Sequence, residues 1–414
     1  MSQKIFVQYG AGNIGRGFIG QVFSAAGYTV CFIDVNTALI EQLNRDHRYP
    51  ITIVEPQGDT DLWVENVYGI HGANTPAVIE AIAHADLMAT AVGVNVFPKI
   101  LPLIAEGLRK RWSNQNFTPL NIIICENLLD ADTYMRRALQ ALLTPEECIH
   151  LDAWVGLSEA SIGRMVPVMT EAMQRGNPLR VCVESYCQLP IDRAAFKGPL
   201  PQIPNVHPFT PFEYFIRRKL FVHNMGHALV AYLGAREGCS TIGQAIRNPV
   251  IKLIAQRAMT EAAYALAHHF SVPLQEILEH ISDLLLRFSN QRLGDTVARV
   301  GRDTSRKLAR NDRFVATIHL CETEGIAPIY VSVGFAAGLL FENPDDPGTA
   351  ALRAHVEHNG PALTLETLCA VQSDSTRAQI CAYYMKLQNG VTLEEILAEA
   401  ESLHGKVLAA RKII

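Results

Sequence analysis

A short glycine-spaced loop constrains this chain more than any other feature. Tyr9-Gly10-Ala11-Gly12-Asn13-Ile14-Gly15 follows the apolar run Lys4–Tyr9 and opens Ile14–Ala26, where apolar residues recur at helical spacing. At a strand-to-helix turn, G-x-G-x-x-G spacing has a mechanical meaning. Gly10 permits the tight turn, Gly12 lets the backbone approach a pyrophosphate, and Gly15 lets helix and strand pack closely. The amides from Ala11 through Asn13 and Ile14 then lie at a helix N-terminus, where the dipole favours an anion. A second strand, Thr29–Asp34, ends in an acid 19 residues after Gly15, the place where a carboxylate receives adenosine ribose hydroxyls. Asp34 repels a 2′-phosphate, and no basic residue follows it in Val35-Asn36-Thr37. The expected cofactor is therefore NAD rather than NADP, on a Rossmann-type βαβ unit.

The alternation continues. Leu87–Val92 and Leu120–Cys125 read as further strands, and Thr37–Arg45, Pro76–Ala83 and Val96–Arg111 as helices. Apolar strands alternating with helices predict a doubly wound parallel sheet. Thr90-Ala91-Val92-Gly93-Val94 closes the fourth strand with small residues, so Val92 is a candidate cofactor contact; a tight turn explains the run nearly as well. Tyr49–His71, with polar alternation, reads as a small antiparallel insertion, and proline-rich Leu200–Phe212 as a linker or extended connection. Beyond it come helical patterns at Glu213–Leu233, Val250–His268, Leu274–Phe288, Asp295–Arg310, Arg377–Leu387 and Leu393–Leu403. The expected organisation is a Rossmann domain, 1–198, followed by a mostly α-helical domain, 199–414, with the active site in a cleft between them.

Composition closes off other classes. A net charge of −5 argues against a dedicated nucleic-acid binder. No apolar run reaches the ~18 residues of a membrane span. The chain enters a strand at once, leaving no room for a leader peptide. Nine scattered cysteines without a C-x-x-C pair are the usage of a reducing compartment, so the expected location is cytoplasmic.

A second informative segment is Lys219-Leu220-Phe221-Val222-His223-Asn224-Met225-Gly226-His227. On an α-helix Lys219 and His227 lie roughly 80° apart, with Asn224 between about 60° and 140° from each. Dehydrogenation of an alcohol needs a base for the hydroxyl proton and a donor for the developing alkoxide. A desolvated lysine supplies the first, and an amide such as Asn224 the second. A solvated lysine and a core histidine explain the bare spacing as well. His223 and His227 have the i, i+4 spacing of a zinc pair, but neither H-E-x-x-H nor a cysteine pair completes a metal set; no metal is expected.

Several blocks together carry a resemblance. Gly10-Ala11-Gly12-Asn13-Ile14-Gly15-Arg16-Gly17-Phe18-Ile19-Gly20, Asn121-Ile122-Ile123-Ile124-Cys125-Glu126-Asn127, Phe196-Lys197-Gly198-Pro199-Leu200-Pro201, Arg218-Lys219-Leu220-Phe221, Gly226-His227-Ala228, Tyr232-Leu233-Gly234 and Arg299-Val300-Gly301-Arg302 keep their order over about three quarters of the chain. They resemble the long-chain, zinc-independent mannitol (polyol) dehydrogenases. That resemblance implies Lys219 as general acid/base, Asn224 and Asn127 as oxyanion donors, and His227 as the residue that positions substrate. Glu126, beside Asn127, joins the candidate cofactor contacts. One departure matters. The family carries V-D-R-[IV]-x-P, where this chain has Ile162-Gly163-Arg164-Met165-Val166-Pro167. Losing that carboxylate should depress the pKa of Lys219, and Glu159 is the nearest potential replacement in sequence.

After Asp295, basic residues recur at 299, 302, 306, 310 and 313, with Lys307 beside them. Steps of three and four predict one helical face. Arg299, Arg302 and Arg306 are candidate substrate contacts, while Arg310 and Arg313 are expected at the surface. A solvated face paired with Asp303 and Asp312 is the competing reading. The resemblance implies interconversion of a hexitol phosphate and a ketose phosphate, such as mannitol 1-phosphate and fructose 6-phosphate, by a monomer. Free polyols, a hexonate/uronate pair, or a weakly catalytic NAD(H)-binding paralogue remain the alternatives. The last stretch, beyond about 320, reads as a helical cap with a basic tail, Lys406 to Lys412.

Overall fold

The computed structural model describes residues 4–411 apart from 129 and 168, so Lys412 lies outside the described residues. The chain divides into two units, Met1–Glu213 and Tyr214–Ile414. The strands are β1 (Ile5–Tyr9), β2 (Thr29–Asp34), β3 (Arg48–Glu55), β4 (Gly58–Glu65), β5 (Val67–His71), β6 (Leu87–Thr90), β7 (Leu120–Ile124), β8 (Val155–Glu159), β9 (Val181–Val183), β10 (Leu189–Asp192) and β11 (Val206–Phe209). All of them fall in the first unit.

Six form a parallel sheet in the order β5-β2-β1-β6-β7-β8. Its strand residues alternate between two apolar layers. Phe6, Val30 and Phe32 face one layer with Phe18, Phe23 and Tyr49, while Val7, Ile33, Met88 and Ile122 face the other with Ile100 and Ile104. Burial on both faces is why these strands read as continuous apolar runs. Chain order reverses direction between β1 and β6, the switch point at which such sheets bind ligands beyond their carboxyl ends. Tyr9 pairs with Ile33 on one side and Thr90 on the other. The glycine loop, Asp34 and the turn after Thr90 therefore emerge along one edge.

Two expectations about the first unit are corrected. The 49–71 segment is antiparallel only as far as the β3–β4 hairpin, because β5 returns to the main sheet parallel to β2. β3 in turn pairs in parallel with β9, giving an accessory sheet β4-β3-β9. Of the two readings of the proline-rich stretch, the extended connection is the one the structure shows, and it is anchored: β11 pairs in parallel with β10. That pairing carries 199–213 with the first unit and moves the division from 198/199 to 213/214. Prolines hid the strand because they cannot donate to a ladder, yet Pro190 and Pro208 both lie in this two-stranded pair.

The second unit is helical. Its central helix, Ile329–Leu340, is apolar on every side and almost wholly buried, as a helix without a polar face must be. Pro328 gives that helix no side-chain cap. Glu261, on the helix Pro249–Phe270, reaches across instead and accepts from the amides of Ile329, Tyr330 and Val331 at 2.9–3.1 Å. The single helix expected over 295–310 is two short ones, Val297–Gly301 and Thr304–Lys307. Asp303 between them has φ 62° and its amide donates to Asp346 at 2.6 Å. A Cβ on Gly301 would lie 2.3 Å from the Phe341 ring, so close packing and a side-chain cap interrupt what periodicity alone would continue. The final helix runs Leu393–Arg411. No helix of the described residues is long and apolar enough to cross a membrane.

Candidate active site

In the first unit the glycine loop has the construction its spacing implies. Gly10 adopts φ 95°, and a Cβ there would lie 2.4 Å from the Ala91 carbonyl oxygen; on Gly15 it would lie 2.0 Å from Gly10 O. Gly12 is different: nothing lies within 4 Å of its Cβ position. Two glycines close the turn and the third leaves an open approach, the cradle a dinucleotide pyrophosphate requires. Asn13 is exposed and Ile14 half-buried at the start of the helical segment. Asp34 accepts from Ala11 N at 2.7 Å and Asn36 N at 3.0 Å. Its half-buried carboxylate thereby fixes the loop and keeps capacity for ribose hydroxyls. These residues fit an NAD-type dinucleotide.

Glu126 is buried just past β7 and accepts from Val92 N at 2.9 Å and Gly93 N at 2.8 Å. Val92 stands against Gly10, in the turn after β6 rather than in the strand. Asn127, the next residue, is exposed. Glu159, at the end of β8, accepts from Ala131 N at 2.8 Å and so caps the helix Ala131–Gln140; burial pushes its carboxyl up to about 7. Arg164 donates to the carbonyls of Glu184 and Gly17, so this part of the departed motif is a structural tie. A side chain on Gly163 would press on Tyr186 at 3.3 Å.

In the second unit Lys219–Asn224 is a π-helix running into the helix Met225–Arg236. The extra residue per turn alters the α-helical azimuths expected for Lys219, Asn224 and His227, and such segments are frequent at functional sites. His227 lies flat on Phe288, ring centroids 4.8 Å apart, with Nε2 2.9 Å from Asp295 Oδ2. Burial first, then the charges of Arg299, Lys307, Arg313 and Arg287, pushes its imidazole down to about 3. Asp295 pulls the other way, but it is shared with Arg299, so the ring stays neutral. His223, 6.0 Å from His227 between centroids, is also held below the usual range by burial and neighbouring cations, Lys219 among them. Lys219 itself is half-buried.

The arginine stripe is dispersed by the break at Asp303. Arg299 pairs with Asp295, and Arg306 is held between Asp303 (2.6 Å) and Asp312 (2.9 Å), the pairing the competing reading anticipated. Arg302 is exposed and has no ion pair among the described residues. Arg313, expected at the surface, is largely buried: it pairs with Asp312 at 2.8 Å and approaches the Asn224 carbonyl at 3.5 Å. Sequence reasoning missed the roles of Asp295, Phe288 and Lys307. Lys307 is buried and donates to Val300 O at 2.6 Å, and burial pushes its amine down to about 7. Its place beside the stripe was the only signal for it.

A switch-point Rossmann sheet with an open glycine cradle, followed by a helical unit bearing a Lys–Asn–His group, defines a class of two-unit dinucleotide-binding proteins. Within that class the chain belongs to the mannitol dehydrogenase family: residues 4–205 match the mannitol dehydrogenase Rossmann domain and 211–380 the mannitol dehydrogenase C-terminal domain. It is 35% identical over 365 residues to a mannitol-1-phosphate 5-dehydrogenase of Brevibacillus brevis, covering 88% of this chain and 93% of that one. The identity is again 35% over 384 residues with the enzyme of the same name from Bacillus licheniformis, 92% and 100% of the two chains. A substrate-free D-sorbitol dehydrogenase shares the fold with TM-score 0.81 at 13% identity over 95% of each chain. Pseudomonas fluorescens mannitol 2-dehydrogenase, in a ternary complex with NAD and D-mannitol, does so with TM-score 0.69 at 14% identity, over 97% of this chain and 94% of that one.

Proposed function

We propose that this chain is an NAD-dependent dehydrogenase interconverting a hexitol phosphate and a ketose phosphate, mannitol 1-phosphate and fructose 6-phosphate. The observation that carries the reading is 35% identity, sustained over nearly the whole chain, to two relatives named for that activity. The open cradle at Gly12 and the carboxylate of Asp34 support the cofactor. NAD, held by Gly10–Gly15 and Asp34 with Val92 and Glu126 shaping the adjoining turn, supplies the hydride acceptor when bound.

Lys219 is assigned the alcohol proton, taken at Nζ in oxidation and returned in reduction. Asn224 and Asn127 donate side-chain N–H groups to the substrate oxygen, steadying the alkoxide without changing their own charge. His227, neutral and stacked on Phe288, orients the substrate as a hydrogen-bonding group rather than as a base. Arg302, exposed, and Arg299, shared with Asp295, are assigned to the phosphate. Arg306 reaches an anion only by leaving Asp303 or Asp312, so it contributes least of the three.

The test is NADH oxidation with fructose 6-phosphate, fructose, fructuronate and tagaturonate. Turnover confined to the phosphate is the expected result. Turnover on a uronate or on free fructose reassigns the substrate. NADH binding with no turnover on any of the four favours the paralogue in which Gly163 has cost the activity.

A further inference from the structure

The glycine loop runs into a π-helix, Gly15–Gly20. Two consecutive carbonyls of this segment also accept from side chains outside it. Tyr49 Oη donates to Arg16 O at 2.7 Å, and Arg164 Nη1 donates to Gly17 O at 2.9 Å. Tyr49 lies on β3. Arg164 is in turn fixed by Glu184 O, just past β9, at 2.8 and 3.0 Å. Both partners therefore hang from the accessory sheet.

Arg16 completes the link to the loop itself. Its Nε donates to Ala11 O at 2.7 Å and its Nη1 to Leu179 O, two residues before β9. The Ala11 amide is the one that Asp34 receives, so a single residue of the loop is held from both sides. Gly17 and Gly20 make the approach possible. A Cβ on Gly17 would lie 2.8 Å from Val181 Cγ1, and one on Gly20 2.5 Å from Tyr49 Oη. These two glycines are needed for docking of the accessory sheet, whereas Gly10, Gly12 and Gly15 shape the turn.

We propose that the accessory sheet β4-β3-β9 holds the dinucleotide loop in its binding shape, with Tyr49 as the positioning residue. The inference rests on reading Gly10–Gly15 as the NAD site. A loop held in place before the ligand arrives pays no ordering entropy on binding. Loss of the clamp therefore raises the dissociation constant of the nucleotide and leaves the chemical step alone.

Tyr49→Phe removes one oxygen and keeps the ring against Phe32, 5.9 Å away between centroids. NADH affinity is followed by fluorescence titration, beside Tm and steady-state kinetics. The expected result is a Kd for NADH raised on the order of tenfold, the effect of one buried hydrogen bond on an equilibrium. The KM for NADH rises in step, and kcat at saturating NADH stays within about twofold. A purely structural role lowers Tm while the folded fraction binds NADH with unchanged Kd; that outcome overturns the proposal, as does a fall in kcat alone. Should Tyr49→Phe not fold, Gly17→Ala, which displaces β9 with Tyr49 intact, decides by the same readouts. Failure of the unmodified protein to bind NADH at all is distinguishable, since it refutes the cofactor reading beneath.

Discussion

Asp34→Asn turns cofactor choice into a measurable ratio. In the folded protein Oδ2 receives Ala11 N at 2.7 Å and Oδ1 receives Asn36 N at 3.0 Å. Asparagine keeps an oxygen for the loop amide but removes the charge. A hydrogen bond to a charged group is worth about 1.5–3 kcal/mol against about 0.5–1.5 for a neutral one. Two ribose hydroxyls therefore lose roughly 2 kcal/mol together, or ~30-fold in NADH affinity. NADPH moves in the opposite direction. Relief of repulsion between carboxylate and 2′-phosphate amounts to several kcal/mol at an effective dielectric of ~20, and to about 1–2 kcal/mol after solvent screening at this half-exposed position. The ratio of NADPH to NADH dissociation constants should thus fall by ~10²–10³. Paired titrations of both nucleotides at one ionic strength give this ratio directly, and Tm monitors the fold. A ratio that moves less than about threefold would refute the ribose assignment, whatever happens to either affinity alone.

Lys219→Ala should lower kcat by ~10²–10⁴, the range of general acid–base catalysis, with NADH affinity kept; full activity sinks the assigned role. Glu261→Leu leaves three buried amides without an acceptor at about 1–3 kcal/mol each, comparable to the ~5–15 kcal/mol that holds a protein folded. Calorimetry should then find the second unit unfolded, and Glu261→Gln, which keeps one acceptor, should be the milder change. For Lys307 the sign runs with alkalinity. Its folded amine is pushed down to about 7 by burial, whereas the unfolded value is about 10.4. Between the two the unfolded chain binds the extra proton, so stability rises with pH; below about 7 both states are protonated and the burial cost is carried in full. Lys307→Met should flatten that rise in a Tm series from about pH 6.5 to 9.5, and an unchanged slope would locate the titration elsewhere.

The Rossmann sheet was legible because its signals are local: β2 spans Thr29–Asp34 as read, and glycine spacing dictated the turn. The helix Leu274–Phe288 was read residue for residue, since its apolar stripe is one-sided. What escaped depended on partners distant in sequence. β11 is a strand only because β10 accepts it, and the 295–310 helix breaks only because Asp346 and Phe341 intrude. The same holds at the candidate site. Lys219, Asn224 and His227 could be picked out by spacing, but the neutrality of His227 follows from its burial and from Arg299, Lys307, Arg313 and Arg287, none of these within 50 residues of it. Gly17 and Gly20 were visible only as part of a motif until Tyr49 and Val181 gave each a neighbour.

The Glu261 cap makes the second unit indivisible. The carboxylate and the first amide it receives are 68 residues apart, so every breakpoint between them parts groups that are stable only together. A fragment ending before Ile329 leaves an acid among apolar side chains, and one starting after Phe270 leaves a helix end with no acceptor. Recombination between relatives, protease nicking and split-protein engineering all meet this constraint. A crossover that keeps residues 261 to 331 from a single parent preserves the unit, and one inside that interval does so only when both parents carry the same cap.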